Sequence, residues 1–354
     1  MGNPGRHRFP LRHGNHDVRV ESLSASGSLR RQAFGRGLRA RGRPRLTNVK
    51  IRVLGSAAGG GFPQWNCNCA NCSGVRNGTL RASPRTQSSI IVSAGSDAQW
   101  ALVNASPDLL AQIQATAVLQ RGRAIRDSAL CGIVLVDGQI DHTTGLYMLR
   151  EASRAWPLWC TDSTYADLTR GNPILNVLSH YCGVDRHRIG LDGAEFEVEG
   201  VPGVRWRALV VASKPAPYSP NRDSPVPGDN IALELIDDRT GHSAVYAPGL
   251  GAIDENIWRA MQSARCVLVD GTFWTDDEMV RLGISRKRAS DIGHLPQSGA
   301  GGMLEWLDRL GSQVRRVLIH INNTNPILDE DSPQRAELTR RGVEVAFDGM
   351  EIAL

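Results

Sequence analysis

The regular alternation of apolar and polar positions begins near Val49. Val49–Leu54 alternates and runs out into Gly55-Ser56, which predicts a first strand. The run Gly59-Gly60-Gly61 then imposes a loop. Ser89–Ser93 and Trp100–Asn104 read as a strand pair across a polar turn at Gly95–Asp97, and Asp108–Leu119 has helical spacing with Ser106-Pro107 as its start. Cys131–Val136 is an unbroken apolar run, the mark of a strand buried on both faces, and Thr144–Ala155 is helical. The rhythm then recurs. Val204–Ala212, Ile231–Leu235, Ser243–Ala247, Cys266–Val269, Val317–Ile321 and Val343–Phe347 read as strands. Asp254–Ala264, Ser298–Leu310 and Gln334–Arg341 read as helices. Strands open each half and strand–helix alternation follows. This predicts an α/β fold of two sheets packed face to face with helices outside, an αββα sandwich, over residues 48–354.

Composition changes this picture at one end only. The chain has 354 residues, 22% charged and 41% hydrophobic, which excludes collagen-like and disulfide-dense classes. It offers no run near the roughly 20 apolar residues that span a bilayer, so no integral membrane segment is expected. Residues 1–47 hold 11 Arg, no Lys and two acids, a net +9, while the remainder carries −4. Basicity therefore belongs to this Arg-, Gly- and Ser-rich segment, which has too few apolar residues to order itself. It is read as a disordered leader, or as the product of a start codon set too far upstream, in preference to an arm for nucleic acid or a membrane surface. No nucleic-acid partner is expected. Arg30-Arg31 is followed by no apolar stretch, so twin-arginine export is rejected.

Seven Cys, an odd number, with Cys67, Cys69 and Cys72 crowded together, indicate metal binding in a reducing compartment, and the cytoplasm is the expected location. Three thiols among polar Asn residues suit a structural Zn²⁺ with a fourth ligand from elsewhere. A second constellation, Asp137-Gly138-Gln139-Ile140-Asp141-His142, begins where the buried run Cys131–Val136 ends. Strand C-termini are where ligands sit in α/β proteins, so Asp141 and His142 are candidates for one metal; alternatively Asp141 caps the following helix. Asp270, His294 and His320 also follow or end predicted strands or precede a helix, and together with His142 they suggest convergence. His180, His187 and His242 are read as structural or solvent-facing.

Taken together, these positions resemble the metallo-β-lactamase superfamily from about Val49 to Leu354. The superfamily's His-x-His-x-Asp-His motif falls on Asp137-x-Gln139-x-Asp141-His142, its later acid on Asp270 and its last metal-binding histidine on His320. The additional histidine of the phosphodiesterase branch falls on His294, and the Cys67/Cys69/Cys72 cluster and Phe347–Ile352 look like that branch. More narrowly, Val53–Cys69, Gln139–Gly145, Pro217-Tyr218-Ser219-Pro220 and His320–Pro326 resemble a family of pyrroloquinoline quinone (PQQ) biosynthesis proteins.

Two first-site imidazoles are replaced by Asp137 and Gln139, and none occurs near Ser213-Lys214, so a two-metal hydrolytic site is not expected to be intact. The surviving set, Asp141, His142 and His320 with Asp270 nearby, suits mononuclear Fe²⁺. The resemblance implies an iron-dependent hydroxylase acting on the tyrosine ring of a cross-linked Glu–Tyr precursor of PQQ. It further implies Asp137 and His294 as catalytic groups, and Lys214 or Arg222, by locality alone, is a candidate partner for substrate carboxylates. Asn323 is the implied fourth zinc ligand. A carrier of PQQ or its precursor toward the periplasm and a metal-dependent hydrolase are the alternatives. Other PQQ-pathway proteins and a second copy in a homodimer are the partners left open.

Overall fold

The computed structural model describes residues 48–354 except 96, 97, 121 and 123; the basic segment 1–47, with its expected disorder, lies outside the described residues. Among the described residues, fourteen strands form two seven-stranded sheets. The first contains β1 (Lys50–Gly55), β2 (Ser89–Ser93), β3 (Trp100–Val103), β4 (Leu130–Val134), β5 (Trp156–Cys160) and β6 (Val184–Arg188). The second contains β7 (Glu195–Phe196), β8 (Val204–Val210), β9 (Ile231–Asp237), β10 (Ser243–Ala247), β11 (Cys266–Asp270), β12 (Arg315–Ile319) and β13 (Val343–Val345). The last strand, β14 (Glu351–Ala353), returns to the first sheet and pairs antiparallel with β1.

The αββα expectation is met. Ile51, Val53, Ile90, Val92 and Val134 of the first sheet pack against Trp206, Leu233, Tyr246, Leu268 and Val317 of the second. The outer face of the first sheet is covered by Leu109, Leu146, Leu168 and Ile174, that of the second by Ile257, Met261, Leu304 and Leu338. Because β2, β3, β4, β10 and β11 lie between two such layers, every residue in them is buried. That is why their sequences read as continuous apolar runs.

Several element boundaries differ from the sequence reading. The helix expected over 108–119 ends at Ala115, where Thr116 adopts extended dihedrals, and resumes as a 3₁₀ turn at Ala117–Gln120. The helix expected over 298–310 spans only Met303–Asp308, because Gly299 and Gly301 take positive φ. Thr144–Ala155 is not one α-helix: a single turn at Ile140–Thr143 leads into a 3₁₀ segment, Thr144–Leu149. Gln139 takes the N-cap position of that turn, so Asp141 does not cap it.

This architecture gathers the candidate residues. Strands β3 to β6 run parallel, as do β10 to β13, so the C-terminal ends of β4, β11 and β12 can serve one crevice. The two sheets are stitched there by backbone pairs. Asp137 bridges Asn230, and Ala57 bridges Ile321. β12 ends one residue before His320, whose φ of 61° turns the chain out of the sheet.

Candidate metal centre

At the end of β4 the chain turns through Asp137 and Gly138 into the short helix that carries Asp141 and His142. His142 is buried, and its Nδ1 lies 2.9 Å from each Asp137 carboxylate oxygen. Its Nε2 is buried with no hydrogen-bond partner. That orphaned nitrogen is 3.9 Å from Asp141 Oδ2, which in turn is 3.2 Å from His320 Nε2. Ligand atoms around one ion with bonds of about 2.1 Å sit about 3 to 3.5 Å apart. Asp141, His142 and His320 therefore form a donor set close to that size, one carboxylate and two imidazoles.

The second ring nitrogen of His320 is also held. Its Nδ1 lies 3.0 Å from Thr272 Oγ1, which is also 2.9 Å from the His320 carbonyl oxygen. Asp270, His294 and His320 form a second possible donor set, with ligand atoms within 4.8 Å of one another. Asp270 Oδ2 meets His294 Nδ1 at 2.6 Å and accepts from the Leu250 N–H, while its Oδ1 accepts from the N–H and hydroxyl of Thr272. Both oxygens are thus engaged within the protein, and Asp270 is fully buried. His294 stacks on His320 with ring centroids 5.4 Å apart.

The charges reinforce one another. Burial alone would depress the His142 imidazolium, but the Asp137 and Asp141 carboxylates outweigh it and raise its pKa to about 9. Burial pushes Asp141 up, yet the His142 and His320 rings hold it far below the ordinary carboxylate range. Asp270 is likewise lowered against its burial by His294, and His294 is raised against its burial by Asp270.

Gln139 and Asp137, which stand where the superfamily motif has imidazoles, are both diverted. Gln139 donates to the Lys214 carbonyl at 3.0 Å, and Asp137 faces His142. The cavity over the trio has a volume of about 310 Å³. Its lining differs from expectation in one cation: Arg222 takes part, but the second is Lys287 rather than Lys214. Thr272 and Lys287 escaped the sequence reading.

Cys67, Cys69 and Cys72 meet at the start of the helix Ala70–Asn77, with sulfurs within 4.8 Å of one another. The terminal amide of Asn323 lies over the three, its nitrogen position 3.1, 3.7 and 3.3 Å from the sulfurs of Cys67, Cys69 and Cys72. Nitrogen and oxygen of such an amide exchange places by a flip of the group, which would turn an oxygen onto the thiol triangle. Burial raises the Cys69 thiol to about 11, whereas hydrogen bonds from its neighbours lower Cys67 despite burial.

Fold and donor geometry define a metallo-β-lactamase-type protein, and residues 99–321 match the beta-lactamase superfamily domain. A solved diphosphatase of the PhnP family shares the fold at 16% identity, with a TM-score of 0.60 over 86% of this chain and 98% of that one. Much greater similarity is found to coenzyme PQQ synthesis protein B of Azoarcus sp. strain BH72, at 62% identity over 86% of this chain and all of that one. The structure of Zn²⁺-bound PqqB from Methylobacterium extorquens matches at 35% identity and a TM-score of 0.78, over 86% of this chain and all of that one. The chain belongs to the coenzyme PQQ synthesis protein B family.

Proposed function

We propose that this protein acts in PQQ biosynthesis as an iron-dependent hydroxylase of the tyrosine-derived ring of the cross-linked Glu–Tyr precursor. The observation that carries the reading is the buried, unpartnered Nε2 of His142, aimed at Asp141 and His320. Asp141, His142 and His320 would hold the iron, which supplies oxygen activation when bound. Asp137 fixes the His142 ring so that Nε2 faces the cavity, and Thr272 does the same for His320. Asp270 orients His294 and, with His294 and His320, offers a second donor set that shares the His320 imidazole with the first. With its Nδ1 held there, His294 keeps its Nε2 free to move a proton at the cavity face. Arg222 lines the same cavity and is suited to a substrate carboxylate.

A two-metal hydrolase is disfavoured, since Gln139 is spent on a backbone carbonyl and Asp137 on His142. Cys67, Cys69, Cys72 and Asn323 would hold a structural zinc. The family name and the reducing cysteine usage support a cytoplasmic site of action. No helix among the described residues is long and apolar enough to cross a membrane.

The test is anaerobic metal analysis followed by O₂ uptake after Fe²⁺ is added. One zinc and one iron per chain, with precursor-dependent uptake lost in His142→Ala and His320→Ala, is the expected result. Zinc alone, no uptake and tight PQQ binding would replace the hydroxylase with a carrier.

A further inference from the structure

One wall of the cavity is built by a single excursion of the chain, from Gly271 at the end of β11 to His294. It contributes Thr272, Phe273, Met279, Lys287, Ile292 and His294 to the lining. Its far end is anchored by local hydrogen bonds. Asp276 accepts from the Ser290 N–H at 3.0 Å and from the Arg288 guanidinium at 3.3 Å, and its carbonyl accepts from the Ala289 N–H. The Lys287 N–H donates to Ser285 Oγ and the Arg288 N–H to Asp291. The backbone of Lys287 is thus fixed on both sides. Its ammonium nevertheless makes no ion pair among the described residues, in contrast to Arg288 beside it, which pairs with Asp276. Arg222 likewise has no carboxylate partner and gives a guanidinium N–H to the Pro215 carbonyl.

Two unneutralised cations, carried by different segments, therefore line one small cavity that also holds the candidate ligand trio. Cations that only keep a surface soluble are usually interspersed with acids, as the Arg288–Asp276 and Arg281–Asp277 pairs of this same excursion are. We propose that Lys287 is a substrate-positioning residue, which with Arg222 recognises a small molecule bearing at least two carboxylates and sets it over the trio. This rests on the reading of the cavity as the PQQ-precursor site and adds to it the residue that selects the acid.

The experiment is calorimetric binding of PQQ, a tricarboxylate, to the metal-replete full chain. The wild type, Lys287→Met and Lys287→Arg are compared, with the trimethyl ester of PQQ as a second probe. Lys287→Met should weaken PQQ about tenfold, the worth of one partly exposed charge-assisted hydrogen bond, and Lys287→Arg should restore most of it. The loss should shrink at high salt, and the ester should bind both proteins alike. Lys287 is exposed, so thermal midpoints should coincide. Equal PQQ affinity in wild type and Lys287→Met, or a wild type that does not bind PQQ, overturns the assignment. So does displacement of PQQ by inorganic phosphate that is itself sensitive to Lys287→Met, which would make the ligand a phosphate. Failure of O₂ uptake with Lys287-dependent PQQ binding intact would instead sink the hydroxylase and leave the anchor standing.

Discussion

Asp137 illustrates how one side chain can matter without touching a ligand. It grips Nδ1 of His142 with both oxygens, fixing the tautomer and direction of a ring whose other nitrogen must stay open. Asp137→Asn should lower affinity for an ion at Asp141, His142 and His320 by about 10- to 100-fold, measured by chelator competition, while leaving zinc binding at Cys67, Cys69 and Cys72 unchanged. Unchanged affinity would remove it from that role. Asp167, directly beneath, has the opposite character. Its Oδ2 is buried without a partner, and a Cβ on Gly138 would stand 2.5 Å from it. Burial, assisted by the charges of Asp229 and Asp137, raises its pKa from 3.8 to about 6. The folded protein therefore keeps this proton longer than the unfolded chain does. Stability is lost as pH climbs from about 4 to about 6, and the cost persists above. Asp167→Asn should stabilise the protein at neutral pH by on the order of 2 kcal/mol, a gain that vanishes near pH 4 in urea melts. Asp141, His142, Asp270 and His320 were legible in the sequence because acids and imidazoles at strand ends carry a chemical signature. Thr272 was not, because a threonine that orients a ring looks like any other threonine. Lys287 was hidden for a different reason: its excursion has no periodicity to say where it folds back.

Among the elements, the 3₁₀ segment that follows the Asp141–His142 turn is tightly constrained. Gly145 packs so closely on the preceding segment that a Cβ would stand 2.2 Å from the Ser106 carbonyl oxygen. Gly145→Ala should cost about 1–3 kcal/mol by overpacking and displace the helix bearing Asp141 and His142. Reduced metal content alongside a lower thermal midpoint would bear this out; a midpoint within a degree or so of wild type would not. The buried strands announced themselves by apolar runs, β2 and β10 to the residue. β5 was missed because Pro157 interrupts a run of five residues, and β6 because Val-Asp-Arg-His-Arg is a polar edge strand. Charged edges resist further pairing, and the same charges erase the sequence signal. The helix Ala70–Asn77 escaped notice because it contains Cys72 and Gly74 and looks like the metal-binding loop it extends.

For the molecule as a whole, the interface between the sheets dominates stability. Trp206 is fully buried there. Trp206→Ala should cost about 3–5 kcal/mol, and near- and far-ultraviolet dichroism should report one coincident urea transition, since both sheets share that core. Separate transitions would mean that the sheets are independent units.

The closure of the first sheet by the last strand has a consequence for biosynthesis. β14 pairs with β1, and Asp348 accepts from Ser56 and from Thr86, 292 and 262 positions earlier in the chain. His320 and Asn323, which complete the two ligand sets, also arrive late. While the ribosome is still reading the second half of the message, the cysteine trio and the Asp141–His142 pair have no partners to close around an ion. Neither candidate ligand set can therefore close around an ion until the polypeptide is released or nearly so, and a truncated translation product lacks part of both.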